Sequence, residues 1–125
     1  MAVHADSDQL RVFDTAAALF AVLATPIRLQ ILSALCDHEK SVNQLLQHID
    51  STQPNLSQHL AILFKTGVLA KRKSGSQVFY RVQSEKAVAL CRSVCTQIAI
   101  EQSDAEAFDD AQNARSGTLL SPVMR

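Results

Sequence analysis

Residues 51–82 read STQPNLSQHLAILFKTGVLAKRKSGSQVFYRV, and this stretch predicts a short helix followed by a two-stranded hairpin. A helix over residues 52–65, with about 100° per residue, places four apolar side chains on one side, which we expect to face the core. These side chains are Leu56, Leu60, Leu63 and Phe64. Thr52 is the expected N-cap, and Pro54 is tolerated because a first-turn N–H has no partner within the helix.

The opposite face of this predicted helix carries small and amide side chains. Asn and Gln can form paired hydrogen bonds with the edge of adenine, Ser can donate or accept, and Ala can contact a thymine methyl group. This composition predicts base readout in the major groove of DNA, and we call the segment the reading helix. The face consists of Pro54, Asn55, Ser57, Gln58, Ala61 and Lys65.

The hairpin after Gly67 is predicted as strands 68–73 and 77–82 around Ser74-Gly75-Ser76, and we call it the wing. Residues 53–82 contain five cations and no acid, in a chain whose formal net charge is zero. Such a cluster predicts phosphate contacts, which supply the salt-dependent, sequence-independent part of DNA affinity. We expect double-stranded DNA to contact Gln53, Pro54, Asn55, Ser57, Gln58, Lys65, Lys71, Arg72, Lys73, Gln77 and Arg81.

The chain of 125 residues is long enough for one domain with its own core. Three further helices are predicted before the reading helix, at residues 9–24, 26–35 and 41–49, and a last one at residues 84–101. The expected N-caps are Thr25 for the helix at 26–35, Ser41 for the helix at 41–49 and Ser84 for the last helix. We therefore expect a disordered N-terminus at 1–8, a winged-helix DNA-binding and dimerisation domain at 9–101, and an acidic flexible tail at 102–125.

The first and last of these helices have more apolar surface than one domain can cover. Residues 9–24 are apolar on two faces, and the last helix carries a stripe from Ala87 to Ile98. Both features predict a subunit interface. The predicted fold class is mainly α with a small β-hairpin, a winged helix-turn-helix that forms a homodimer.

The composition also excludes several classes of protein. The start, MAVHADSDQL, has acids and no apolar core of a signal peptide, and no run reaches the length of a membrane span. We expect a cytoplasmic protein with no membrane partner and no cofactor. Cys36, Cys91 and Cys95 are an odd number of cysteines without a secretion signal, which favours free thiols over a disulfide framework.

From about Phe13 to Ile100 the sequence resembles the ArsR/SmtB family of bacterial winged-helix repressors. The resemblance lies in LATPIRLQIL at 23–32, SVNQL at 41–45, QPNLSQHL at 53–60, GVLAKRKSG at 67–75 and VFYRV at 78–82. It implies a homodimer, joined through the first and last helices, that binds a palindromic operator and leaves it when a small inorganic inducer binds.

Metal sensors of that family carry cysteines near the start of the third helix, or Asp and His ligands along the last one. This chain has Ser41-Val42-Asn43 at the first position and no His in the last helix. Neither site is therefore expected here, and we predict no bound metal.

The sequence also resembles a branch of the family that senses sulfide-derived persulfides or oxidants through one cysteine in the second helix and one in the last. The two sensing cysteines of that branch correspond to Ser33 and to a position near Ala99 in this chain. Cys36 and Cys95 are each displaced by about one helical turn from them. If the two helices are antiparallel, the displacements agree in direction, so we expect Cys36 and Cys95, with Cys91, to be the sensing thiols.

Three other interpretations of the cysteines remain open at this point. They can be small core hydrophobes, since free cysteine packs well. All three thiolates can bind a thiophilic metalloid, so an arsenite-responsive repressor that uses Cys36, Cys91 and Cys95 is the alternative function. A thiol enzyme is more remote, because the chain lacks a C-x-x-C pair and a βαβ pattern. We predict a repressor and not an enzyme.

Overall fold

The computed structural model describes residues 6–115, and within that range the chain forms five helices and one three-stranded sheet. It divides into one unit that ends at Leu90 and a second that begins at Cys91. The elements in order are α1 (Ser7–Leu23), α2 (Pro26–Leu35), β1 (Lys40–Ser41), α3 (Val42–Leu46), α4 (Gln53–Lys65), β2 (Leu69–Ser74), β3 (Gln77–Val82) and α5 (Glu85–Arg115).

The helix α1 begins earlier than the sequence predicted. The Asp6 side chain accepts a hydrogen bond from the backbone N of Asp8 at 3.2 Å and so caps the helix. An aspartate at this position satisfies an N–H that the helix itself leaves without a partner. The expected disorder over 1–8 is therefore wrong for Ser7 and Asp8, while residues 1–5 lie outside the described range.

The N-caps predicted for the next two helices are present. Thr25 Oγ1 accepts from the backbone N of Arg28 at 3.1 Å, and α2 spans Pro26–Leu35 as expected. Ser41 and Gln44 form a reciprocal capping box with bonds of 3.2 and 2.8 Å. Regular α3 is only five residues long, shorter than the predicted 41–49, although Ile49 N still bonds to Leu45 O at 2.9 Å.

The sheet has a strand that the sequence did not reveal. In β1, Lys40 pairs with Tyr80 and Ser41 pairs with Phe79, so the sheet order is β1-β3-β2. A two-residue strand shows no alternation of apolar and polar residues, which explains why the pattern missed it. Leu69 to Ser74 pair with Val82 to Gln77, leaving Gly75-Ser76 as the turn. Gly75 has φ 63°, as the first central residue of a type II′ turn requires.

The core lies among α2, α3, α4 and the base of the wing. Its most completely buried large side chains are Ile31, Leu45, Leu56, Leu60, Leu63 and Leu69. Three of the four apolar residues predicted for the core side of the reading helix are among them. The fourth, Phe64, is 41% exposed, so its assignment to the core was wrong.

The last helix, α5, is longer than predicted. Ser84 Oγ accepts from the backbone N of Ala87 at 3.2 Å, which confirms the predicted cap. The helix continues to Arg115, well past the end expected near residue 101. Residues 102–115 contain Ala, Glu and Gln and lack Gly and Pro, so helix propensity explains the correction to the predicted flexible tail. Residues 116–125 of that predicted tail lie outside the described range.

Among residues 6–115, no single helix has the length and apolar character of a membrane span. Only α1 and α2 taken together would reach that length, and they are bent by 92° at their junction.

Candidate nucleic-acid interface and cysteine sites

The reading helix, α4, presents the predicted polar face outward. Gln53, Pro54, Asn55, Gln58, Ala61 and Lys65 are exposed, and Ser57 is half-buried. Thr52 Oγ1 accepts from Asn55 N at 3.3 Å, as predicted for the N-cap. The Asn55 side chain donates to Ser51 Oγ at 3.0 Å. Gln58 is exposed on this face, where its amide can reach a base edge.

A guanidinium group links the reading helix to two other helices. Arg28 Nε donates to His59 Nδ1 at 3.1 Å, and its Nη1 donates to Val22 O at 2.9 Å. Arg28 thus satisfies a carbonyl in the last turn of α1 and contacts α4 at the same time. His59 accepts this bond from a residue 31 positions earlier in the chain. Sequence reasoning placed Arg28 in a family motif but gave it no role.

One cation of the wing packs on the reading helix. Lys71 Nζ lies 4.3 Å from the centroid of the Phe64 ring. This cation–π contact gives the exposed Phe64 ring a partner at the surface. Lys71 was predicted as a phosphate contact, and its ammonium group remains exposed beside the ring.

A second wing cation, Arg72, has an acidic partner that the sequence pattern did not reveal. Its Nε donates to Glu39 Oε2 at 2.8 Å and to Oε1 at 3.1 Å, and Nη2 also donates to Oε1. The guanidinium carbon lies 4.9 Å from the centroid of Phe79. Residues 53–82 contain no acid, but β1 brings Glu39 to the sheet from 33 residues away. The wing is therefore less positive than its own sequence indicates.

The remaining predicted DNA contacts of the hairpin are exposed. Lys73 and Gln77 flank the turn, and Arg81 lies on β3 opposite Ala70. Together with Lys65 at the end of α4, these side chains supply positive charge and hydrogen-bond donors at the surface. This arrangement suits contacts to phosphate oxygens.

The three cysteines are free thiols in different surroundings. Cys36 is exposed at the C-cap of α2, where its thiol donates to Ser33 O at 3.0 Å and lies 3.7 Å from Asp37 Oδ1. Cys95 is exposed on α5, one turn after the half-buried Cys91. Burial, and secondarily the neighbouring Cys95, raise the pKa of the Cys91 thiol. No group of three or more His, Cys, Asp or Glu side chains within residues 6–115 is arranged to hold a metal ion.

Comparison with known proteins identifies the family. The model of the arsR family of bacterial regulatory proteins matches residues 25–71. The biofilm growth-associated repressor of Xylella fastidiosa (strain Temecula1) is 35% identical over 87 residues, which span 70% of this chain and 76% of the relative. The chain belongs to the arsR family. It is a transcriptional repressor of that family, and its relatives are regulators rather than enzymes.

Solved structures of arsR-family regulators confirm the winged-helix fold. The transcriptional repressor BigR from Xylella fastidiosa superposes with a TM-score of 0.67 at 34% identity, covering 72% of this chain and 92% of BigR. Reduced HlyU from Vibrio cholerae N16961 also gives 0.67 at 34% identity, covering 71% and 94% of the two chains. The predicted winged helix-turn-helix is therefore confirmed for the part of the chain that these regulators share.

Proposed function

We propose that this arsR-family protein acts in the cytoplasm as a homodimer that binds a palindromic operator and leaves it when its cysteine thiols are modified. The inducer is sulfane sulfur, as persulfide or polysulfide, or an oxidant. The observation that carries this proposal is the exposure of two thiols, Cys36 and Cys95, in a winged-helix repressor. A relative whose structure is described as reduced HlyU supports a thiol-dependent function.

The chemistry follows from the thiols. A cysteine thiolate attacks a sulfane sulfur of polysulfide, forms an S–S bond and expels the shortened polysulfide chain. A second thiolate can then displace hydrosulfide from the persulfide, which leaves a disulfide. Within one chain Cys36 and Cys95 are exposed, whereas Cys91 is half-buried and its raised pKa lowers its thiolate fraction. We therefore assign the sensing reaction to Cys36 and Cys95, with a lesser part for Cys91.

Intact mass spectrometry, run in parallel with DNA-release measurements, tests this proposal. The reduced protein is exposed separately to polysulfide, peroxide, glutathione disulfide and arsenite. We expect polysulfide to add whole sulfur atoms, or polysulfide and peroxide to remove two hydrogens, together with release from DNA. Bound arsenic with release only by arsenite would instead support the three-thiolate alternative. Unchanged mass and unchanged DNA binding with every reagent would contradict both.

The reading helix is proposed to contact bases and the wing to contact phosphates, which gives a separate prediction. Gln58→Ala should lose discrimination at particular operator positions, by about 1–3 kcal/mol each, because an amide pairs with a specific base edge. Lys73→Ala should instead weaken binding to all DNA and lower the salt slope by about one, because it removes a phosphate contact. Competition binding against operators selected from a random duplex library measures both effects.

A matched control for the reading helix is Gln47→Ala, which removes the same exposed amide from the C-cap of α3. It should change neither discrimination nor the salt slope. If Gln58→Ala weakens binding to every sequence equally, the reading helix does not read bases.

A further inference from the structure

Glu39 is an acid that the described structure places against the wing, where it pairs with Arg72 and lies near the charge of Arg81. It lies in the turn between α2 and β1, immediately before Lys40, whose pairing with Tyr80 joins that turn to the sheet. The Glu39 side chain keeps 32% of its accessible surface, and that of Arg72 keeps 53%. The pair is therefore open to solvent and within reach of a bound polyanion.

In the ion pair, the Glu39 carboxylate contacts one edge of the Arg72 guanidinium. Both carboxylate oxygens of Glu39 accept from Nε and Nη2 of Arg72, and the Phe79 ring supports the guanidinium from β3. A bidentate contact of this kind is directional and charge-assisted. A DNA phosphate that approaches Arg72 must displace the carboxylate or bind beside its negative charge.

Glu39 is ionised under ordinary conditions. The hydrogen bond from Arg72 lowers the pKa of the Glu39 carboxyl below its usual value, and the charge of Arg81 acts in the same direction. The wing thus carries a fixed negative charge at neutral pH, next to the cations that were predicted to meet phosphates.

We propose that Glu39 lowers the DNA affinity of the protein by occupying the guanidinium of Arg72. The inference rests on the proposed contact between the wing and DNA phosphates. It assigns Glu39 control over the sequence-independent part of binding, because phosphate contacts carry no base information. A repressor whose wing is partly neutralised is held less tightly by the excess of non-operator DNA, which competes with its operator.

The test compares Glu39→Gln with the unaltered, fully reduced protein on a mixed-sequence duplex, so that no operator is needed. Glu39→Gln should bind about three- to tenfold more tightly in 50 mM salt, since one more cation becomes available to phosphate. That advantage should shrink about threefold by 200 mM salt, because each added phosphate contact steepens the salt dependence by about 0.9. Fluorescence anisotropy at several salt concentrations measures both quantities.

Two further variants separate this mechanism from a general charge effect. Asp37→Asn removes the same charge from an exposed residue of the same turn, and it should leave affinity almost unchanged. In an Arg72→Gln background the gain from Glu39→Gln should largely disappear, as a double-mutant cycle requires for coupled residues.

Several results would overturn the inference. Unchanged or weaker binding by Glu39→Gln would mean that the carboxylate does not compete with phosphate. An equal gain from Asp37→Asn, or an equal gain in the Arg72→Gln background, would mean that Glu39 acts only as diffuse charge. If thiol reagents do not release the unaltered protein from DNA, the proposed thiol switch is contradicted, but the affinity differences between the Glu39 variants still stand. If the unaltered protein does not bind DNA at all, both the proposed function and this inference are wrong.

Discussion

Phe13→Glu is expected to convert the protein to monomers and to lower operator affinity by about a hundredfold or more. The helix α1 exposes four large apolar side chains at 51–64% of their accessible surface, namely Leu10, Val12, Phe13 and Phe20. These exposed apolar side chains are the surface that we propose a second copy of the chain covers. A glutamate there would have to be buried without a partner when two copies associate, which is strongly unfavourable.

The loss of affinity follows from the symmetry of the proposed complex. A twofold dimer presents two reading helices to two half-sites about one turn of DNA apart, and a monomer keeps the contacts of only one. An apolar groove of about 730 Å³ borders the same helix, lined by Val12, Leu19 and Val22 on one side and by Thr66 to Val68 on the other. This groove adds apolar surface next to Phe13 that a second copy would cover.

Analytical ultracentrifugation and operator binding measure the outcome. Phe13→Leu serves as the control, because it keeps an apolar side chain and should preserve both the dimer and its affinity. Circular dichroism should show that Phe13→Glu retains its helical content, since the residue is exposed within one chain. A dimeric Phe13→Glu variant with full affinity would remove α1 from the proposed interface.

The local signals in this sequence were sufficient for the reading helix and the wing. Thr25, Ser41 and Thr52 cap the helices for which they were predicted, because a capping side chain acts within three residues of itself. The outward position of the residues proposed to face bases was also predictable, since helical periodicity separates them from the buried Leu56, Leu60 and Leu63.

The features that the sequence did not reveal depend on contacts between distant segments. Glu39 meets Arg72 only because two residues of β1 pair with β3, and no periodic pattern marks so short a strand. Phe64 has the spacing of a core residue, yet it serves as a surface support for Lys71. Helical spacing predicts which side of a helix a residue occupies, but it does not predict where the neighbouring hairpin leaves that side uncovered.

The extent of α5 was missed for a different reason. The acids Asp104, Glu106, Asp109 and Asp110 suggested a solvated tail, since charged segments with few apolar residues tend to be disordered. Intrinsic helix propensity outweighed that tendency through Arg115. The candidate thiols Cys91 and Cys95 therefore lie well inside a helix rather than near its end.

Cys36→Ser and Cys95→Ser are expected to cause the largest loss of inducer-dependent release from DNA. Each variant should bind DNA normally when reduced, because both thiols are exposed and neither belongs to the reading helix or the wing. Each should also lose the release caused by polysulfide or oxidant. A hundredfold release corresponds to about 2.7 kcal/mol of operator affinity, an amount that a few lost phosphate or base contacts supply.

Cys91→Ser distinguishes the sulfur switch from the metalloid alternative. Its effect should be milder, because Cys91 is half-buried and its raised pKa leaves less of the reactive thiolate at neutral pH. Raising the pH should therefore increase modification of Cys91 in the unaltered protein, as peptide mass spectrometry after alkylation would show. If Cys91→Ser is as uninducible as the other two and arsenite is the effective agent, a three-thiolate site replaces the sulfur switch. If all three variants still respond to every thiol reagent, the signal enters through residues other than these cysteines.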